Sequence, residues 1–145
     1  MKNYRLWAKV SAGLMLFTGV VHSLSLFVQA TPQNEPERQM LELITTYRMD
    51  AGAGFHPSYS NLFTALSSCF SLLCFLGGIT VFYLIRKGTS EETMRGLLNI
   101  HIAIFGVCFA MMAYFTFLPP IVCTGLIFVT LIVARIGIKT PQAPN

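Results

Sequence analysis

Three histidines and one Arg-x-Asp pair hold most of the chemical possibility in this chain. His22 falls inside a long apolar run, where an ionisable side chain faces a protein interior and becomes a candidate for a site. Its imidazole could act as an acid or base, or hydrogen-bond a neighbouring helix. His56 precedes Pro57 where a polar segment meets the next apolar run, a position suited to capping and loop order. His101 stands just inside the start of the third apolar run, so an interfacial anchoring role is expected. Arg48 and Asp50 flank Met49 beside a glycine-rich bend, close enough to pair and hold the segment down. Together with Asn61 and Tyr114 these residues define a candidate ligand-binding pocket on one side of a membrane: His22, Arg48, Asp50, His56, Asn61 and Tyr114.

Several chemistries lack their residues. His22 and His101 belong to opposite leaflets of the layout derived below, so they cannot share a metal ion or clamp a b-type haem. No HExxH, HxxxH or paired-carboxylate pattern suggests a zinc or di-iron site. All six acidic residues lie in polar segments, which leaves a carboxylate relay through the membrane without members. There is no Gly-x-Ser-x-Gly, no phosphate-binding loop and no dinucleotide fingerprint. The expectation is therefore no catalytic residue, no metal and no cofactor. Cys69, Cys74, Cys108 and Cys123 all fall in apolar runs without CxxC spacing, and small apolar packing is their default role.

The elements that must position these side chains follow from hydropathy. Apolar runs cover 6–28, 62–85, 97–117 and 121–138. A bilayer core of ~30 Å needs about 20 helical residues, and lipid offers the backbone no hydrogen-bond partner, so such runs become helices. The chain is 54% hydrophobic and only 11% charged, whereas a soluble domain carries about 25% charged residues. The first run resembles a signal peptide, with Val28-Gln29-Ala30 as a small-residue cleavage pattern. It is longer than an ordinary signal core and contains His22, Ser23 and Ser25, so a retained helix is expected. These features predict one all-α membrane domain over 1–145, an antiparallel four-helix transmembrane bundle.

Charge sets the expected orientation. With the N-terminus inside, eight cations (Lys2, Arg5, Lys9, Arg86, Lys87, Arg95, Arg135, Lys139) lie on the cytoplasmic side and two (Arg38, Arg48) outside. By the positive-inside rule this places both termini in the cytoplasm of a cell inner membrane protein. The net charge of +4 sits in small groups at the ends of apolar runs, not in a stripe with interleaved aromatics, so no nucleic-acid partner is expected.

The connections are uneven. A charged segment joins the second and third runs, and Leu118-Pro119-Pro120 makes a tight turn between the third and fourth, with Pro120 suited to the first turn of the last helix. The outer segment 29–61 is far longer, at 33 residues. In it Asn34 and Glu37 resemble a capping box, and Met40, Leu43, Ile44 and Tyr47 recur at helical spacing, predicting a short amphipathic helix over 35–49. Gly52 and Gly54 end it. The tail 140–145, with two prolines, is expected to be disordered.

Small and polar residues should mark the helix contacts, because helices in lipid associate through close packing and interhelical hydrogen bonds. The expected stripes are Ser11, Met15, Thr18, His22, Ser25; then Ser60, Thr64, Ser67, Ser71, Cys74, Gly78; then Asn99, Ala103, Gly106, Ala110, Ala113; and a weaker Cys123, Ile127, Thr130, Ala134.

Tyr47-Arg48-Met49-Asp50, the glycine-rich bend and His56-Pro57-Ser58 resemble a group of small bacterial membrane proteins without an assigned activity. Val21-His22-Ser23 near the end of the first run and the aromatic-then-proline stretch Tyr114–Pro120 fit the same group, whose general layout is similar to the DoxX-like four-helix proteins. The resemblance spans nearly the whole chain and implies the fold, with no activity to carry over. On function, the leading expectation is a non-catalytic accessory subunit or a binder of a membrane amphiphile, a lipid or a quinone. Its partners would be membrane lipid and a protein partner or second copies of the chain. An intramembrane enzyme acting on a lipid or isoprenoid, with His22 as acid or base, is the alternative, and an oligomeric transporter the third.

Overall fold

The structure is a computed structural model that describes residues 4–28 and 30–138. The expected tail 140–145 lies outside the described residues, as does Gln29 at the start of the long segment. Five α-helices follow in order: α1 Tyr4–Ser25, α2 Glu35–Thr46, α3 Tyr59–Arg86, α4 Glu91–Phe115 and α5 Leu118–Ile136. Three of them, α3, α4 and α5, are long and apolar enough to cross a membrane. At 22 residues α1 is long enough but is not among these three, and it carries Lys9, Thr18, His22, Ser23 and Ser25 along its length.

Local chemistry moves the helix ends away from the limits of the apolar runs. α3 starts at Tyr59 because Ser58 caps it. The Ser58 hydroxyl accepts the Asn61 N–H (3.2 Å), while the Asn61 side-chain oxygen accepts the Ser58 N–H (3.0 Å). That reciprocal pair is a capping box. α4 starts at Glu91, inside the expected charged loop, since Ser90 accepts the Thr93 N–H at 3.3 Å and Glu91 and Glu92 occupy the positive first turn. The turn falls at Thr116 and Phe117, and Leu118-Pro119-Pro120 opens α5, with Pro120 in the first helical turn as expected, where a proline's missing N–H costs nothing. α2 stops at Thr46, short of the expected 49. Its N-cap is as read from the sequence, Asn34 accepting the Glu37 N–H at 2.9 Å, but the Glu37 carboxylate reaches the Gln33 N–H at 2.7 Å.

The chain divides into two compact units, Met1–Thr18 with Cys74–Asn145, and Gly19–Leu73. In the first unit the apolar core is built from Ala8, Ala12 and Met15 of α1, Cys74 and Val81 of α3, Met94, Leu98 and Phe105 of α4, and Ile127, Leu131 and Ala134 of α5. Glycines set its closest approaches. A Cβ on Gly78 would lie 2.7 Å from Leu16 Cγ and 2.9 Å from the Ala12 carbonyl oxygen, and one on Gly77 would meet Met15 and the His101 ring. Between α4 and α5, Phe128 covers Gly106, Phe109 covers Gly125, and the two phenylalanine rings stack at 6.1 Å. Arg135 donates to Asn99 across the same pair at 2.8 Å.

The second unit is organised differently. Every buried hydrophobic residue among the described ones belongs to the first unit, whereas the buried side chains of Gly19–Leu73 are those of Ser58 and Ser71. α2 buries no residue at all, and Met40, Leu43 and Tyr47 remain exposed.

The expected contact stripe on α4 is corrected in part: its Asn99 and Gly106 do meet α5, through Arg135 and Phe128. Its buried face is Met94, Leu98, His101 and Phe105, while Asn99, Ala103, Ala110 and Ala113 are exposed. The buried face of this helix is thus supplied by large side chains, and Gly77 provides the space for His101.

Candidate functional site

The second unit holds five of the six residues expected to form a pocket. Arg48 and Asn61 come together: Arg48 Nη1 donates to Asn61 Oδ1 at 3.1 Å. The same oxygen accepts from the Ser58 N–H and, at 2.7 Å, from its hydroxyl. One amide oxygen therefore gathers three donors at the start of α3, which ties residue 48 to the helix cap. The expected Arg48–Asp50 pair is corrected, since the ion pairs among the described residues are Arg38 with Glu35 and with Glu42. Asp50 Oδ1 instead accepts the Gly52 N–H at 2.9 Å. A short carboxylate two residues upstream of a free N–H closes its own turn more easily than it reaches a long side chain.

Residues 49–57 form a closed loop. Met49 N–H donates to Pro57 C=O and Ala51 N–H to Phe55 C=O, each at 3.0 Å. The bend between them needs left-handed backbone at Gly52 (φ 79°), Ala53 (φ 49°) and Gly54 (φ 79°). His56 sits in this loop with its side chain exposed. Tyr114 belongs to the first unit, is 82% exposed, and packs edge-on against Phe115 at 4.6 Å.

His22 is placed by α1 and by an aromatic neighbour. Its ring meets Phe70 of α3 edge-on, centroids 5.1 Å apart and planes at 88°. Its Nε2 is buried and has no hydrogen-bond partner among the described residues. The Ser71 hydroxyl, one residue beyond Phe70, is in the same condition, on a residue only 4% exposed. A buried polar group without a partner costs about 1–3 kcal/mol, and buried polar groups ordinarily find partners. Two such atoms therefore lie in one unit, on α1 and α3. Sequence reasoning singled out His22 for the site; Ser71 stood only in a packing stripe. The available signal was its spacing from Ser67, one turn away on α3.

His101 is corrected from an interfacial anchor to a core residue. It is 8% exposed, lies on the buried face of α4, and its Nδ1 is 3.0 Å from the Leu97 carbonyl oxygen. Because a carbonyl only accepts, the proton of that ring edge sits on Nδ1. The reason for the change is the early start of α4 at Glu91, which carries residue 101 well into the helix.

Among the described residues, fold and site define an all-helical protein with three membrane-length apolar helices and with two buried polar atoms, His22 Nε2 and Ser71 Oγ, that lack a hydrogen-bond partner. No family model, curated protein or solved structure matches this chain.

Proposed function

We propose that the chain is a non-catalytic integral membrane protein that binds a membrane amphiphile, a lipid or a quinone, through a polar site that includes His22 and Ser71. The observation that carries this reading is the pair of buried, unpartnered atoms, His22 Nε2 and Ser71 Oγ, in a unit whose buried side chains are serines. An imidazole nitrogen and a hydroxyl together can accept from and donate to the carbonyl, hydroxyl or ester of an amphiphile headgroup. The apolar surface supports the setting: at most 28% of the most apolar stretch of α3, α4 or α5 is buried inside the protein, and Leu66, Leu72, Leu76, Val107 and Val129 are exposed. In the proposed arrangement α1 joins α3, α4 and α5 as the fourth span of an antiparallel bundle in a cell inner membrane. Both termini are then cytoplasmic, and α2 lies with Met40, Leu43 and Tyr47 in the outer interface.

The test is gentle detergent purification followed by native mass spectrometry, with wild type beside His22→Ala and Ser71→Ala. Wild type is expected to retain one amphiphile class that both variants lose. Stability sharpens the result. If Ser71 has no ligand to bind, Ser71→Ala removes an unsatisfied hydroxyl and stabilises the protein by about 1 kcal/mol. If it binds one, the same change destabilises the loaded protein. Stabilisation by Ser71→Ala in the native membrane extract overturns the proposal, and a stoichiometric polypeptide in place of a lipid makes the chain an accessory subunit.

A further inference from the structure

The first unit contains a cavity of about 650 Å³ that the site above does not use, within the ~300–1,000 Å³ span of small-molecule sites. Among the described residues its charged lining is Arg5, Lys9 and Arg86, with no acidic residue. Arg5 and Lys9 are one helical turn apart, so both side chains project from the same face of α1. The remaining walls are apolar, chiefly Leu16, Ile79, Phe82 and Ile85.

The cations and the apolar walls are ordered along the cavity. Lys9 and Leu16 are seven residues apart on α1, and Arg86 and Ile79 are seven apart on α3, about 10 Å along each axis at 1.5 Å per residue. Leu16 packs against Gly78, the neighbour of Ile79. The apolar ends of the two stretches therefore coincide, and so do the cationic ends. The result is a cleft with three positive charges at one end and a hydrocarbon-lined slot leading away from them. Tyr83, which also lines it, has Lys87 Nζ 5.8 Å from its ring, placing an amphipathic ring at the same cationic end, as at a membrane–water interface.

We infer that this cleft binds an anionic phospholipid, its phosphate held by Arg5, Lys9 and Arg86 and the start of an acyl chain lying along Leu16, Ile79 and Phe82. A free phosphate would satisfy the cations but leave the apolar slot unexplained, whereas a neutral lipid would fill the slot and bring no counter-charge to the cations. On the orientation proposed above, this end lies at the cytoplasmic leaflet, where anionic headgroups already attract cations near the surface. The inference concerns different residues from the His22–Ser71 site and stands or falls separately.

The experiment offers the full-length protein an equimolar mixture of phosphatidylglycerol and phosphatidylcholine with identical acyl chains, and reads the bound lipid by native mass spectrometry. Wild type should prefer phosphatidylglycerol by roughly tenfold or more, and each of Lys9→Gln and Arg86→Gln should lower that preference by about fivefold. The triple change Arg5→Gln, Lys9→Gln, Arg86→Gln should abolish it, while Arg38→Gln, which removes a cation on α2, should leave it intact. The single variants keep the test decisive if the triple variant does not fold. Equal retention of the two lipids by wild type, or an unchanged preference in both single variants, overturns the inference. Displacement of the lipid by excess inorganic phosphate does so too, by making the cations a site for the free anion.

Discussion

Gly78→Ala is the sharpest perturbation of the first unit's packing. The added methyl would sit 2.7 and 2.8 Å from Leu16 Cγ and Cδ2 and 2.9 Å from the Ala12 carbonyl oxygen. The leucine can rotate away, but the backbone oxygen moves only if α1 moves. Forcing an extra methyl into such a contact costs about 1–3 kcal/mol, offset by about 1 kcal/mol from replacing a helical glycine with alanine. At Gly13 nothing lies within 4 Å of an added Cβ, so Gly13→Ala keeps only the favourable part. The two variants should therefore differ by about 1–3 kcal/mol, with Gly13→Ala the more stable. Unfolding in mixed micelles can be followed by the fluorescence of Trp7, the single tryptophan of the chain. Adding Leu16→Ala to Gly78→Ala removes two of the three close contacts, so the double change should cost less than the sum of its parts. Equal stability of Gly78→Ala and Gly13→Ala, or strict additivity with Leu16→Ala, would refute the close α1–α3 contact.

Asn61→Ala strands the Ser58 N–H and hydroxyl and the Arg48 guanidinium at once; we expect a loss of about 1–2 kcal/mol by chemical denaturation, with Arg48→Ala costing less than half as much. Gly106→Leu should destabilise the α4–α5 pair more than Ile104→Leu, because Phe128 already lies 2.9 Å from the Gly106 Cβ position while Ile104 is 40% exposed; matching melting temperatures would contradict this. The Glu35 carboxylate, hydrogen-bonded by Arg38 and then by Gln39, is held below its ordinary value of 4.5. Its contribution to α2 is thus present above that value and is lost as pH falls through the lower folded value. An NMR titration should place the Glu35 midpoint below 4.5 and move it upward in Arg38→Gln, and an unmoved midpoint would remove the assigned cause. Topology is checked by reporter fusions, which should report cytoplasm after Asn145 and at Lys87 and the opposite side at Gln33; a cytoplasmic Gln33 overturns the orientation.

Much of this protein was written in composition and local pattern. Low charge and long apolar runs required helices of membrane length, because only a helix satisfies its backbone without solvent; α3, α4 and α5 bear that out. The cap at Asn34 and the helix beginning at Glu35 were legible for the same reason: a side chain three residues from the N–H it satisfies needs no tertiary partner. Other decisions were out of reach of a linear reading. Small-residue spacing marks where a helix can be approached, but not what approaches it, so the sequence pointed to Asn99 and Gly106, which do meet α5, and equally to alanines that stay exposed, while the structure buried Met94, Leu98, His101 and Phe105. Gly77 and Met15, far apart in sequence, decide how deeply His101 is set. Arg48 found Asn61, thirteen positions on, in preference to Asp50 beside it. The unpartnered state of His22 and Ser71, and the convergence of Arg5, Lys9 and Arg86 on one cleft, arise from which helix faces meet. Hydropathy is a sum over neighbours in sequence, whereas burial and pairing depend on neighbours in space, and only the folded chain brings those together.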